Sequence, residues 1–288
     1  MIANNKLAGV TLGDGTIIPR IGQGTWFIGD NPSNKSTEIR ALQCGVEQGM
    51  NLIDTAEMYG DGKSELLVGE AIKGMRDRVF VVSKVYPHHA GLNLIVQSCD
   101  NSLRRLQTDR LDLYLLHWRG SVPFSETIEG MEKLVEAGKI LRWGVSNLDT
   151  ADMKELTRLT KGTHCVTNQV LYHLGSRGIE YDLLPWQEEH AMPIMAYCPL
   201  AQAGSLRNGL IGHPTVKEIA ERHQVNPFQL LLAWCIRSGN VIAIPKASSE
   251  VHVTQNAKAA SIQLTEEDLR KLDTAFPKPT RKVPLDIV

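Results

Sequence analysis

Four side chains in the first half of the chain have the types and spacing to move a proton: Asp54, Tyr59, Lys84 and His117. Asp54 closes the apolar run 51–54, Lys84 closes 79–84 and His117 closes 111–117, and each run reads as a β-strand. Tyr59 follows Asp54 on the next loop. A tyrosine hydroxyl has an ordinary pKa of about 10, too high for efficient proton transfer at neutral pH. A neighbouring ammonium stabilises the phenolate and lowers that value, and Lys84 is placed to supply the charge. Asp54 would hold Lys84 charged and fixed. His117 would hydrogen-bond a substrate oxygen beside Tyr59. Together they would form a tuned acid where an oxyanion develops on a carbonyl.

Taken singly, each has an ordinary explanation. Asp54 could cap a turn, Tyr59 could be a rim aromatic, Lys84 a surface lysine and His117 a structural histidine. Their fall at the ends of consecutive strands is what points to a site, because an α/β barrel gathers its chemistry at the C-terminal ends of its strands.

The elements needed to position them are legible. Apolar runs beginning near Ile21, Leu52, Val79, Leu111, Ile140, Val166, Ile194 and Val241 read as eight strands. Between and after them lie helical periodicities at 35–49, 64–73, 92–106, 125–137, 149–159, 179–190, 215–223, 227–237 and 249–260, with one more opening at Thr265. Gly49 and Gly138 fit helix ends, and Asn226-Pro227 fits a cap followed by proline at the first helical position. Strand–helix alternation favours parallel pairing with right-handed crossovers. Eight such units predict a (β/α)8 TIM barrel, and an Asp14-Gly15 hairpin signal before them predicts a lid over one end. An open doubly wound sheet is the alternative. The first strand–helix turn, 22–27, lacks the glycine fingerprint of a dinucleotide-binding sheet.

The chain has 288 residues, 42% hydrophobic and 22% charged, with a formal net charge of -1. One domain spanning 1–288 is the economical reading, with a large core and no attraction for nucleic acid or an anionic membrane. Residues 1–6 lack the basic start and apolar run of a signal peptide, and no stretch approaches the roughly 20 apolar residues of a membrane span. Five scattered cysteines without a Cys-x-x-Cys pair read as reduced thiols in a cytoplasmic protein. No metal ligand spacing occurs, and His88-His89 reads as a solvated loop.

The segment Asp54-Thr55-Ala56-Glu57-Met58-Tyr59-Gly60 resembles the D-T-A-x-x-Y-G motif of the aldo-keto reductases. The resemblance continues through Ser83-Lys84, Leu115-Leu116-His117-Trp118, Gly144-Val145-Ser146-Asn147, Asn168-Gln169-Val170, Ala196-Tyr197-Cys198-Pro199-Leu200 and Ile244-Pro245-Lys246-Ala247-Ser248, in family order over nearly the whole chain. It implies a barrel that binds NADPH, or secondarily NADH, without a Rossmann fold and reversibly reduces aldehydes and ketones. It implies Tyr59 as general acid, Lys84 and Asp54 as its tuning pair and His117 as the group that steers the carbonyl. Ser146, Asn147 and Gln169 would bind the nicotinamide amide, Tyr197 would stack on its ring, and Pro199 and Leu200 would line the cofactor. Lys246 and Ser248 would grip the 2′-phosphate, with His252 where the family often has arginine, Gln255 where it often has glutamate, and Asn256 near the adenine. Trp26 and Trp118 would line the substrate pocket.

Segment 200–212, with Gly204, Gly209 and Gly212, reads as a mobile loop over the cofactor. The short proline-rich tail after Phe276 suggests an open pocket for small aldehydes such as methylglyoxal. A monomer or weak oligomer is expected. Two other readings remain at this point: a barrel enzyme whose Lys84 or Lys246 forms a Schiff base, and a nucleotide-binding regulatory member with slow turnover.

Overall fold

The computed structural model describes residues 9–202 and 205–288. The expectation of a non-secretory start at 1–6 therefore lies outside the described residues, as does Gly204. Eight strands run parallel in chain order: β3 (Gln23–Gly24), β4 (Leu52–Asp54), β5 (Phe80–Val85), β6 (Leu113–Leu116), β7 (Trp143–Ser146), β8 (Cys165–Leu171), β9 (Ile194–Tyr197) and β10 (Val241–Ala243). The first and last meet through parallel bridges, Ile21 to Ala243 and Gly24 to Lys246, which close the barrel. The backbone bonds Gly22 N to Ala243 O (2.8 Å) and Gly24 N to Pro245 O (3.1 Å) complete that seam.

Both faces of these strands are buried, which is why they read as continuous apolar runs. Parity then sorts their side chains. Leu52, Phe80, Val82, Leu113, Leu115, Met195 and Ile242 point inward to one core. Ile53, Val81, Tyr114, Leu116, Val145, Ile194 and Ala243 point outward to a second core beneath the helices. With a side-chain period of two, residues two beyond an inward position also point inward. Asp54, Lys84, His117 and Tyr197 stand two beyond Leu52, Val82, Leu115 and Met195. The sequence that fills the barrel with hydrocarbon thus aims these groups at the axis, one layer higher.

The lower end is shut by the hairpin of β1 (Gly9–Thr11) and β2 (Ile17–Pro19). Val10, Leu12 and Ile18 join the inner core. Arg142 clamps the hairpin, donating to Asp14 at 2.8 Å, to Thr16 Oγ1 at 3.0 Å and to Asp112 O at 2.9 Å.

The helices form the outer layer: α1 (Lys35–Glu47), α2 (Lys63–Ala71), α3 (Leu92–Leu106), α4 (Phe124–Glu136), α5 (Thr150–Arg158), α6 (Leu183–Glu189), α7 (Ser205–Gly212), α8 (Pro214–Arg222), α9 (Pro227–Cys235), α10 (Glu250–Lys258) and α11 (Glu266–Ala275). Gly49 and Gly138 follow α1 and α4 with φ of 89° and 70°, as their end positions require. Asn226 and Thr265 form capping boxes with Gln229 and Asp268.

Two expectations need correction. The helix expected over 179–190 is a short turn followed by α6. Glu180 accepts from Tyr172 Oη (2.6 Å), Arg177 (2.7 Å) and Arg237 (3.0 Å), and this buried cluster holds the turn apart from the helix. Of the loop expected over 200–212, the part from 205 onward is α7.

Candidate active site

Above the inner core lies a cavity of about 350 Å³. Asp54, Tyr59, His117, Trp26, Trp118, Ser146, Asn147, Gln169, Tyr197, Pro199, Leu200 and Lys246 all line it, so most of the sequence-predicted residues are gathered in one place. Lys84, buried beneath it, does not line it, and neither do Ser248, His252 and Asn256. Ser248 precedes α10, and His252 and Asn256 lie on it, Asn256 buried.

Lys84 organises the floor. It is fully buried, yet all three ammonium hydrogens have acceptors: Asp54 Oδ2 at 2.8 Å, Thr55 O at 2.8 Å and Tyr59 Oη at 3.1 Å. The phenol oxygen therefore accepts from Lys84, and its own hydrogen is left for another partner. Asp54 is steadied from the far side, accepting from Gln169 Nε2 at 2.8 Å.

Tyr59 stands where the chain leaves β4 and turns sharply into α2. Gly60, Asp61 and Gly62 take left-handed φ values of 57°, 53° and 83° in succession. The positive φ of Gly60 favours glycine, and a Cβ there would also displace the exposed Asp30 side chain, whose Oδ1 would lie 2.5 Å away. The preceding loop is tied to β5 through Glu57, whose carboxylate accepts from Tyr86 N at 2.7 Å.

Burial dominates the electrostatics. It raises the Asp54 carboxyl and lowers the Lys84 ammonium, and their pairing draws each back. It also pushes the Tyr59 phenol well above its ordinary 10, with the negative charge of Asp54 adding to the rise. The expected lowering of Tyr59 by Lys84 is thus outweighed: an anion in a dry site costs more than one neighbouring cation, itself paired with Asp54, returns. His117 is pushed down to about 2, first by burial and then by the Lys84 charge, so the imidazole is neutral. Its Nδ1 is buried without a partner.

Around this floor, Asn147 takes φ 57° and is held by Tyr197, whose hydroxyl donates to Asn147 Oδ1 at 2.8 Å. Ser146 Oγ donates to Gln169 O at 2.9 Å. Trp26 stacks on Phe27 at 4.6 Å, and Tyr59 meets the His117 ring edge-on at 5.9 Å. Tyr86 packs edge-on against Trp118 at 5.9 Å. His88 and His89 both pack on Tyr86, and His89 lies 3.2 Å from Glu57, while His88 stays exposed, as a solvated segment would.

The sequence model of the aldo/keto reductase family matches residues 20–276. The chain belongs to that family. Methylglyoxal reductase YeaE of Escherichia coli (strain K12) is 57% identical over 271 residues, covering 94% of this chain and 95% of the relative. An aldo/keto reductase from Klebsiella pneumoniae, crystallised in complex with NADP and acetate, superposes with a TM-score of 0.96 at 57% identity, covering 98% of this chain and 99% of that one. An aldo-keto reductase from the same organism in complex with NADPH gives a TM-score of 0.95 at 57% identity, covering 97% of this chain and 99% of that one.

Within this aldo/keto reductase cavity, sequence reasoning missed Phe27, Met58, Cys198 and Arg207. Phe27 is a 58% exposed aromatic with φ 64°, and nothing in its residue type signals that backbone. Arg207 lay in the segment expected to cover the cofactor, where a lone cation was the available signal. Lys282 pairs with Asp149 (3.3 Å) and Asp182 (3.2 Å), which ties the segment after Phe276 down, and Val288 reaches the cavity lining.

Proposed function

We propose that the chain is an NADPH-dependent carbonyl reductase acting on small aldehydes, with methylglyoxal the first substrate to test. In the reverse direction it would oxidise CH–OH groups with NADP as acceptor. The observation that carries this reading is the Lys84 hub, which holds the Tyr59 oxygen as an acceptor and leaves the Tyr59 hydrogen free to be donated.

The cavity suits a dinucleotide phosphate. One part offers the Asn147 amide, the Ser146 hydroxyl and the Tyr197 ring; elsewhere it offers Lys246 and Arg207. Asp54, the one carboxylate side chain among the lining residues, is already paired with Lys84. Amide donors and acceptors match a carboxamide, and cations match phosphate. When bound, the reduced nicotinamide supplies the hydride.

The protein's own groups do the rest. Tyr59 gives its proton to the carbonyl oxygen, and Lys84 stabilises the phenolate left behind. Asp54 and Thr55 keep Lys84 in place. Neutral His117 orients the carbonyl as a hydrogen-bond donor, and Trp26, Phe27, Met58 and Trp118 exclude water.

Lys84 argues against a Schiff-base mechanism, because all its hydrogens are committed beside a carboxylate. We further propose a single-domain protein that is monomeric or weakly associating and cytoplasmic. Among the described residues no helix is long and apolar enough to cross a membrane.

The test is loss of reduced-nicotinamide absorbance with methylglyoxal, using NADPH and NADH in parallel. Faster loss with NADPH is expected. No loss with methylglyoxal or any other small aldehyde, despite nucleotide binding, would favour the regulatory reading.

A further inference from the structure

A chain of three buried hydroxyls runs beneath the proposed acid. Thr55 Oγ1 donates to Ser64 Oγ at 3.0 Å, Ser64 Oγ donates to Thr25 Oγ1 at 2.7 Å, and Thr25 Oγ1 donates to Asp54 O at 2.9 Å. All three residues are fully buried. Ser64 Oγ also lies 3.2 Å from Thr25 O; with its single hydrogen on the nearer Thr25 Oγ1, the chain runs in one direction between two ends. It starts on Thr55 and finishes on Asp54, the two residues that supply Lys84 with its acceptors other than Tyr59.

The three hydroxyls come from three elements, and they join α2 to the β3–β4 pair. Thr25 follows β3, Thr55 follows β4, and Ser64 sits in the first turn of α2, directly after the left-handed turn that carries Tyr59. The backbone bond from Thr25 N to Asp54 O at 3.0 Å reinforces the last link.

We propose that Thr25, Thr55 and Ser64 are positioning residues that fix the two acceptors of Lys84 and thereby hold its third hydrogen on the Tyr59 oxygen. They touch no reacting atom. Their effect passes through Lys84: if Thr55 O or Asp54 shifts, the ammonium follows its stronger charged partner and leaves the phenol. The titratable groups that face the Lys84–Tyr59 pair are Asp54 from β4, Glu65 from α2, His117 beyond β6, and Tyr197 and Cys198 at the end of β9.

Resting on Tyr59 as the acid, this inference is tested with Thr55→Val, which keeps the side-chain shape and removes the hydroxyl, and with Thr55→Ser, which keeps the hydroxyl. Thr55→Val should lower kcat about tenfold while changing KM less than about threefold, because the lost interaction matters in proton transfer. The high-pH limb of the reduction profile should move upward, since a phenol without its ammonium is a weaker acid. NADPH binding, read by protein fluorescence, should be unchanged, and Thr55→Ser should restore both rate and pH limb. Ser64→Cys, a weaker donor of similar shape, should fall between, and decides the matter if Thr55→Val does not fold.

A lower melting temperature with unchanged kcat and pH limb would overturn the inference and leave the hydroxyls structural. Tyr59→Phe separates the two levels. An active wild type, an inactive Tyr59→Phe and an unaffected Thr55→Val would sink the hydroxyl chain alone. A wild type that reduces no carbonyl would overturn both.

Discussion

Gln169 and Asp54 stand 115 residues apart in the chain and meet at 2.8 Å across the barrel floor. The same amide nitrogen lies 2.9 Å from Met195 Sδ, so its hydrogens point into the protein and its carbonyl oxygen is left for a ligand. Gln169→Leu should cost about 1–3 kcal/mol, the penalty of leaving a buried carboxylate oxygen without a donor. Because that donor lowers the Asp54 pKa, its loss should raise it further. Chemical denaturation measures the first effect; an unchanged midpoint would contradict it.

Tyr59→Phe should reduce carbonyl turnover by about 10²–10⁴-fold, the contribution of a positioned acid. Only one oxygen is removed from a ring that packs at 5.9 Å against His117, so the fold should be preserved. Steady-state kinetics beside a nucleotide titration checks both halves. Turnover equal to wild type would dismiss Tyr59 as the acid.

Acid should weaken the fold as pH falls below about 6.5. His117 and His173 are buried and neutral, pushed down to about 2 and about 4. In the unfolded chain both take a proton near pH 6.5, at about the ordinary histidine value. Between those values the unfolded state binds more protons, so stability is fully present above about 6.5 and is lost as pH falls, by up to about 1.4 kcal/mol per pH unit for each group. Urea midpoints at pH 7, 6 and 5 test this, and His173→Asn should flatten the slope. For the same reason, neutral His117 should add no limb to the reduction profile between pH 5 and 8.

Lys246→Ala should weaken NADPH about tenfold or more and NADH much less, since a charge-assisted contact to a phosphate contributes roughly 1.5–3 kcal/mol. Lys246 is exposed at the cavity and has no ion pair among the described residues, so its removal leaves no orphaned acid. Fluorescence titration with both nucleotides gives the ratio. Equal weakening would move its contact to a phosphate that both share.

How much of this was readable follows from what each residue obeys. The strands, and Asp54, Lys84 and His117 on them, were legible because parity is a local rule: two residues beyond an inward leucine or valine is inward again. Tyr59 was legible as a residue but not as a conformation. Its three-residue left-handed turn includes Asp61, a residue type that does not by itself signal a positive φ. The pKa direction of Tyr59 was misjudged because a sequence shows the neighbouring ammonium and conceals the depth of burial. The helix expected over 179–190 failed for a related reason, since Glu180 is recruited by Tyr172, Arg177 and Arg237, which no periodicity reveals. Phe27 reaches the cavity from a strand-end turn and Arg207 from a segment that the sequence reads as a loop and the structure as α7.

The barrel is closed by few bonds, and they run through the site. Gly24 and Lys246, bridged to each other across the first and last strands, both line the cavity. Any anion gripped by Lys246 is therefore also a clasp on the joint where the cylinder would open. Hydrogen exchange at the amides of 20–24 and 241–246 should slow on binding more than exchange elsewhere in the sheet. The protein would be a firmer cylinder when loaded than when empty, and the resting chain would breathe along one line.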